Sequence, residues 1–93
     1  MMVIAKASTK ETKMSYNIRR MNAVQAKTGY SRSTIYLYIS KGLWVKSIRI
    51  GERAVGFLDT EIDALNAARI SGKSDEEIRS LVIKLEAARK DFA

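Results

Sequence analysis

The sequence predicts a mainly helical domain with one small β-hairpin, and three features carry that prediction. Two short helical segments lie about three residues apart, with a glycine in the join. Directly after them the period changes, and two β-branched or aromatic runs flank a glycine-containing turn. Two further amphipathic segments follow, each with its own start and stop signals. Helix, tight turn, helix and hairpin in that order describe a winged helix-turn-helix, here with an extra C-terminal helix.

Residues 1–15 show no sustained period and carry Lys6, Lys10 and Lys13, which reads as a flexible basic arm. The winged domain is expected over residues 16–71. Asn22 is placed to cap its first helix, with Gln25 three residues on as in a capping box, and Met21 and Val24 facing inward. Thr28-Gly29 ends that helix, because glycine accepts the left-handed conformation of a tight stop. Ser31 reads as the N-cap of a second helix, Arg32 to Ser40, closed by Gly42. Ile35, Tyr38 and Ile39 share its inward face, and Arg32, Ser33, Tyr36 and Leu37 the outward one.

Ser47-Ile48-Arg49-Ile50 and Ala54-Val55-Gly56-Phe57-Leu58 are strand-like, with Gly51-Glu52-Arg53 as the turn between them. Asp59 or Thr60 is placed to cap a third helix that runs to about Ile70, with Ile62, Leu65 and Ala68 inward and Gly72 as the stop. Residues 72–93 form the C-terminal amphipathic helix, opened by the capping box of Ser74 and Glu77. Its stripe of Ile78, Leu81, Val82, Leu85, Ala88 and Phe92 has two readings. It packs onto the winged domain, or it pairs with a copy of itself in a homodimer through residues 74–92.

Charge points to the partner. Of 93 residues, 17 are Lys or Arg against 10 Asp or Glu, a net charge of +7. Residues 17–60 hold eight of the basic groups (Arg19, Arg20, Lys27, Arg32, Lys41, Lys46, Arg49, Arg53) and two acidic ones, whereas residues 61–93 hold six basic and seven acidic. A basic middle favours a polyanion, because each cation set against a phosphate releases condensed counterions. With no Cys and no His, the common zinc sites and Cys- or His-based catalysis are excluded. No phosphate-cradling glycine loop and no convergent acidic cluster is visible either, so no cofactor or metal is expected and an enzyme is disfavoured. Met1 to Ala5 is too short an apolar run for a signal peptide, and no run approaches a membrane span; a cytoplasmic protein is the expectation.

The outward face of the second helix is the candidate site. Recognition helices present their first turn to base edges while hydroxyls and backbone N–H groups hold phosphates. Ser31, Arg32, Ser33, Thr34 and Tyr36 have that chemistry, and Leu37 offers an apolar contact for a thymine methyl. Lys41 adds charge at the helix end. Arg49 and Arg53 lie in or beside the hairpin turn, where a wing tip reaches a minor groove or a neighbouring phosphate.

These residues also resemble a family. Gly29-Tyr30-Ser31-Arg32-Ser33-Thr34-Ile35-Tyr36, then Lys41-Gly42, then Ile50-Gly51-Glu52-Arg53-Ala54-Val55-Gly56-Phe57 and Glu61-Ile62-Asp63 resemble the AlpA family of prophage and genomic-island regulators. That family is similar to phage excisionases and to the DNA-binding heads of MerR-type proteins, and the resemblance covers about residues 18–70. It implies double-stranded DNA as partner, with Ser31, Arg32, Ser33, Thr34 and Tyr36 as helix contacts and Arg53 at the wing. Leu37 stands where the family usually has Arg. The implied function is sequence-specific transcriptional regulation of a mobile element. The alternatives are an excisionase that bends attachment-site DNA for an integrase, and an interaction module acting through the C-terminal helix. Integrase and RNA polymerase are the protein partners those readings imply.

Overall fold

The computed structural model describes residues 16–92. The basic arm expected over 1–15 lies outside them. In chain order the elements are β1 (Ile18–Arg19), α1 (Met21–Thr28), α2 (Arg32–Ser40), β2 (Ile48–Arg49), β3 (Val55–Leu58), α3 (Asp59–Ile70) and α4 (Asp75–Ala88), with a 3-10 turn at Arg89–Phe92. The fold is a winged helix-turn-helix with a fourth helix behind it.

The helix-turn-helix forms as its local signals require. Gly29 closes α1 at φ 79°, and its N–H donates to the Gln25 carbonyl. Ser31 turns the chain back into α2, its Oγ accepting from the Thr34 N–H at 3.2 Å. Two expected caps are displaced. Arg20, not Asn22, is the N-cap of α1, and it makes no side-chain cap bond. The chain leaves β1 directly into α1, which pulls the helix start back and leaves Asn22 inside the first turn. There its Oδ1 accepts from the Ala23 N–H at 2.9 Å. Likewise α3 begins on Asp59 with Leu58 as N-cap, so Asp59 is the first helical residue, and its carboxylate is occupied elsewhere.

The hairpin pairs Ile48 with Gly56 and Arg49 with Val55. Beyond the strands the Ile50 N–H donates to the Ala54 carbonyl at 2.9 Å, which leaves Gly51-Glu52-Arg53 as a three-residue tip. The sheet has a third strand that the sequence did not suggest. β1 pairs antiparallel with β3, Ile18 opposite Leu58 and Arg19 opposite Phe57, so the order is β1-β3-β2. Gly56 makes room for it. A Cβ there would overlap Cγ2 of Ile18 and lie 3.0 Å from the Arg19 carbonyl oxygen. Ile18 thus occupies the space that a side chain at 56 would need.

One core serves all the elements. Met21, Val24, Ile35, Phe57, Ile62, Leu65 and Ala68 are buried together with Leu43, Trp44 and Val45 of the α2–β2 connection and with Ile78 and Val82 of α4. Leu81 and Leu85 pack against this cluster. The apolar stripe of α4 therefore contacts the winged domain along most of its length, whereas Ala88 and Phe92 are exposed and Phe92 stacks on Tyr16 at 4.7 Å. Glu61 is the one buried charged residue among those described. Arg89 holds it with two hydrogen bonds, 3.0 Å from Nε and 2.7 Å from Nη2, and the same Nη2 donates to the Lys46 carbonyl at 2.8 Å.

The crowding at Gly56 yields a stability prediction. Gly56→Ala should cost about 1–3 kcal/mol in chemical denaturation, as overpacking does. Adding Ile18→Ala should recover part of that loss, because the two sites share one space. Strictly additive losses would show that Ile18 does not fill it.

Candidate nucleic-acid interface

Three arginines from three different parts of the chain meet at one open cleft. Arg20 stands at the β1–α1 junction, Arg32 in the first turn of α2 and Arg53 at the hairpin tip; Met21, Asn22, Tyr36 and Val55 complete the lining. No lining residue is acidic. Among the described residues, no carboxylate lies within ion-pair distance of any of the three. Arg32 sits 5.6 Å from the centre of the Tyr36 ring, a cation–π contact that steers the guanidinium along the exposed face of α2.

Two of the other basic groups of the middle segment do structural work. Arg19 Nε donates to Asp59 Oδ1 at 3.0 Å, and Lys27 Nζ reaches the same oxygen at 2.6 Å and Asp63 at 2.9 Å. One carboxylate thus ties β1 and α1 to the start of α3. The hydrogen bond from Lys27, then that from Arg19, holds the Asp59 carboxyl below its usual range. Asp59, and then Asp63, in turn raise the Lys27 ammonium above its usual range. Arg19 and Arg20 are neighbours in sequence with opposite fates, one neutralised in the frame and one left at the cleft.

The sequence-predicted residues divide in the same way. Ser31 at the N-cap and Arg32, Ser33, Tyr36 and Leu37 on α2 are all exposed, with Tyr36 at 42% and Leu37 at 48%. The Ser31 hydroxyl is engaged by the cap and by Thr34 Oγ1 at 2.8 Å, so Ser31 and Thr34 shape the helix start. Arg53 lines the cleft. Arg49 stands across the ladder from Val55, and opposed residues share a face, so it borders the cleft without lining it. Lys41 is at the far end of α2, about 13 Å from Arg32 by helical rise, and lies apart from the cleft. Arg20 and Asn22 join the site although sequence reading assigned them no part in it. A two-residue strand is too short to show a period, and without β1 nothing relates Arg20 to the wing.

Among the described residues, no His, Cys, Asp or Glu group is placed to hold a metal ion, and no helix is long and apolar enough to cross a membrane. What the cleft offers is convergent guanidinium donors beside a helix face of hydroxyls, a phenol and a leucine.

The family profile described as "Prophage CP4-57 regulatory protein (AlpA)" matches residues 17–70, the stretch from just before β1 to the end of α3. The chain belongs to the AlpA family. An uncharacterised protein of Enterobacteria phage P4, ORF88, is similar to it, 39% identical over 54 residues. That alignment takes in 58% of this chain and 61% of the phage protein, so about three-fifths of that relative's length is spanned. No solved structure matches the chain. The AlpA match contains all three cleft arginines and stops before α4, so the fourth helix is an addition to the matched segment.

The Asp59 ion pairs yield a pH prediction. A carboxyl with a lowered folded-state pKa contributes stability above its unfolded-state value of about 4, and that contribution is lost as pH falls through the lower folded value. Melting temperature should therefore drop on the acid side of pH 4, and Asp59→Asn should flatten that limb while lowering the neutral plateau. An acid limb of unchanged steepness in the variant would assign the transition to other carboxylates.

Proposed function

We propose that this protein is a sequence-specific double-stranded DNA-binding regulator of transcription in a prophage or genomic island. The observation that carries the reading is the convergence of Arg20, Arg32 and Arg53 on one cleft with no acidic residue in its lining. Held close together, like charges repel, and a polyanion is the partner that turns that cost into attraction. Membership of a prophage regulatory family supports the same reading.

In this reading the first half of α2 enters the major groove. Arg32, Ser33, Tyr36 and Leu37 face base edges and the near backbone, and the wing tip with Arg53 straddles the adjacent phosphates. Arg20 meets the same phosphate run from the start of α1. Arg49 and Lys41 add longer-range attraction at either side. The protein performs no chemistry on the DNA; it acts by occupying a site and presenting itself to RNA polymerase or an integrase.

The test is a fluorescence-anisotropy titration against duplexes tiling the DNA that flanks this gene, with scrambled duplexes, at two salt concentrations. A preference for native DNA that survives at higher salt is expected. Equal, salt-sensitive binding to both sets would reduce the site to a basic surface. Several regularly spaced sites at an attachment region would instead mark an excisionase.

Two variant predictions sharpen this. Arg32→Ala should cost about 1–3 kcal/mol on the preferred duplex and relax preference at one base pair. A uniform loss on every duplex would place Arg32 on phosphate alone. Arg20→Ala and Arg53→Ala should each lower the slope of log K against log salt by about 0.9, the value for one phosphate no longer neutralised. An unchanged slope for either would remove that arginine from the interface.

A further inference from the structure

The connection from α2 to the wing, Lys41 to Ser47, is gripped at both ends by side chains from the fourth helix and its 3-10 turn. Arg79 Nε donates to the Lys41 carbonyl at 2.9 Å, and Arg79 is itself braced by Glu76 at 2.9 Å. Five residues on from Lys41, the Glu86 carboxylate accepts the Lys46 N–H at 2.8 Å, and Arg89 donates to the Lys46 carbonyl at 2.8 Å. Both backbone groups of Lys46 are thereby satisfied by side chains, as a neighbouring strand would satisfy them. Lys41 is the C-cap of the recognition helix, and Lys46 stands two residues before β2. The grip therefore spans the joint that sets where α2 sits relative to the wing. All of the gripping residues lie beyond the matched AlpA segment, and none lines the arginine cleft.

We propose that Arg79, Glu86 and Arg89 are positioning residues for DNA recognition. They hold the recognition helix and the wing in the one relative placement that brings Arg32 and Arg53 onto the same phosphate run, and they do so without touching DNA. This rests on the DNA-binding reading above. Without the grip the cleft still forms, but in a fraction of molecules, and the apparent affinity falls by that fraction because the binding-competent arrangement must first be selected. The bound state is unchanged, so the number of phosphates neutralised is unchanged too.

The experiment compares the full chain with the double variant Arg79→Met, Glu86→Ala, and with Glu86→Gln, whose amide oxygen still accepts the Lys46 N–H. Arg89 is left intact in all of them, because its loss would strand the buried Glu61 carboxylate and risk unfolding the chain. Thermal melting and the emission of Trp44, the single tryptophan, report folding and the packing of the connection. The double variant should remain folded and lose about tenfold in affinity for the preferred duplex, as when one molecule in ten is competent. Its salt slope should match wild type, and Glu86→Gln should bind close to wild type. A folded double variant that binds as tightly as wild type would overturn the proposal and leave the grip a matter of stability alone. A salt slope lowered by about 0.9 would overturn it too, by putting Arg79 on a phosphate. Wild-type protein that shows no preference for any flanking duplex would instead defeat the DNA-recognition reading itself, a result told apart from the others because it needs no variant.

Discussion

Leu43, Trp44 and Val45 are consecutive in the chain and all three are buried, in a segment that is neither helix nor strand. A polar loop at that place would let α2 and the hairpin swing independently. Here the connection is part of the core. Trp44 and Tyr30 meet nearly at right angles, Tyr30 meets Tyr38 of α2 in the same way, and Arg69 of α3 lies over Tyr38, so the joint is packed against the helix it leaves and the helix behind. Full burial of side chains of this size contributes on the order of 2 kcal/mol each. Backbone groups in a buried irregular segment still need partners, and at Lys41 and Lys46 α4 and its 3-10 turn supply them.

The arginine cleft depends on that joint from one side and on β1 from the other. Two residues of strand are a weak element alone, yet they carry Arg20 to the wing. Their place is secured by the absence of a side chain at Gly56 and by the Asp59 carboxylate, which takes Arg19 of β1 and Lys27 of α1 together. Arg19 is neutralised in the frame, and Arg20 beside it faces the cleft. That division separates charge used to hold the fold from charge left without an ion-pair partner among the described residues, and the total of +7 is silent on it.

Much of this was legible in the residues. Gly29, Ser31, Gly42, Gly72 and the Ser74 capping box punctuate the chain where the helices begin and end, because caps and left-handed stops are local chemistry. The outward face of α2 followed from a period of 3.6. The misplaced caps share a cause. Asn22 and Asp59 are good cap residues on propensity, but at each place a strand runs straight into the helix. The strand's pairing with its neighbour, not the side chain's preference, then decides the first helical residue.

Composition, period and punctuation determined by themselves that this would be a basic helix-turn-helix with a hairpin and a further amphipathic helix. They did so because turns, caps and amphipathic faces are set by neighbours within a few positions. Tertiary structure alone decided which cations remain unpaired, that Arg20 joins Arg32 and Arg53, and that the fourth helix grips the joint between α2 and the wing. Those outcomes depend on pairings between residues 32 to 43 positions apart, such as Lys27 with Asp59 and Arg89 with Lys46. No local pattern encodes such a pairing; it exists once a shared core has brought the segments together.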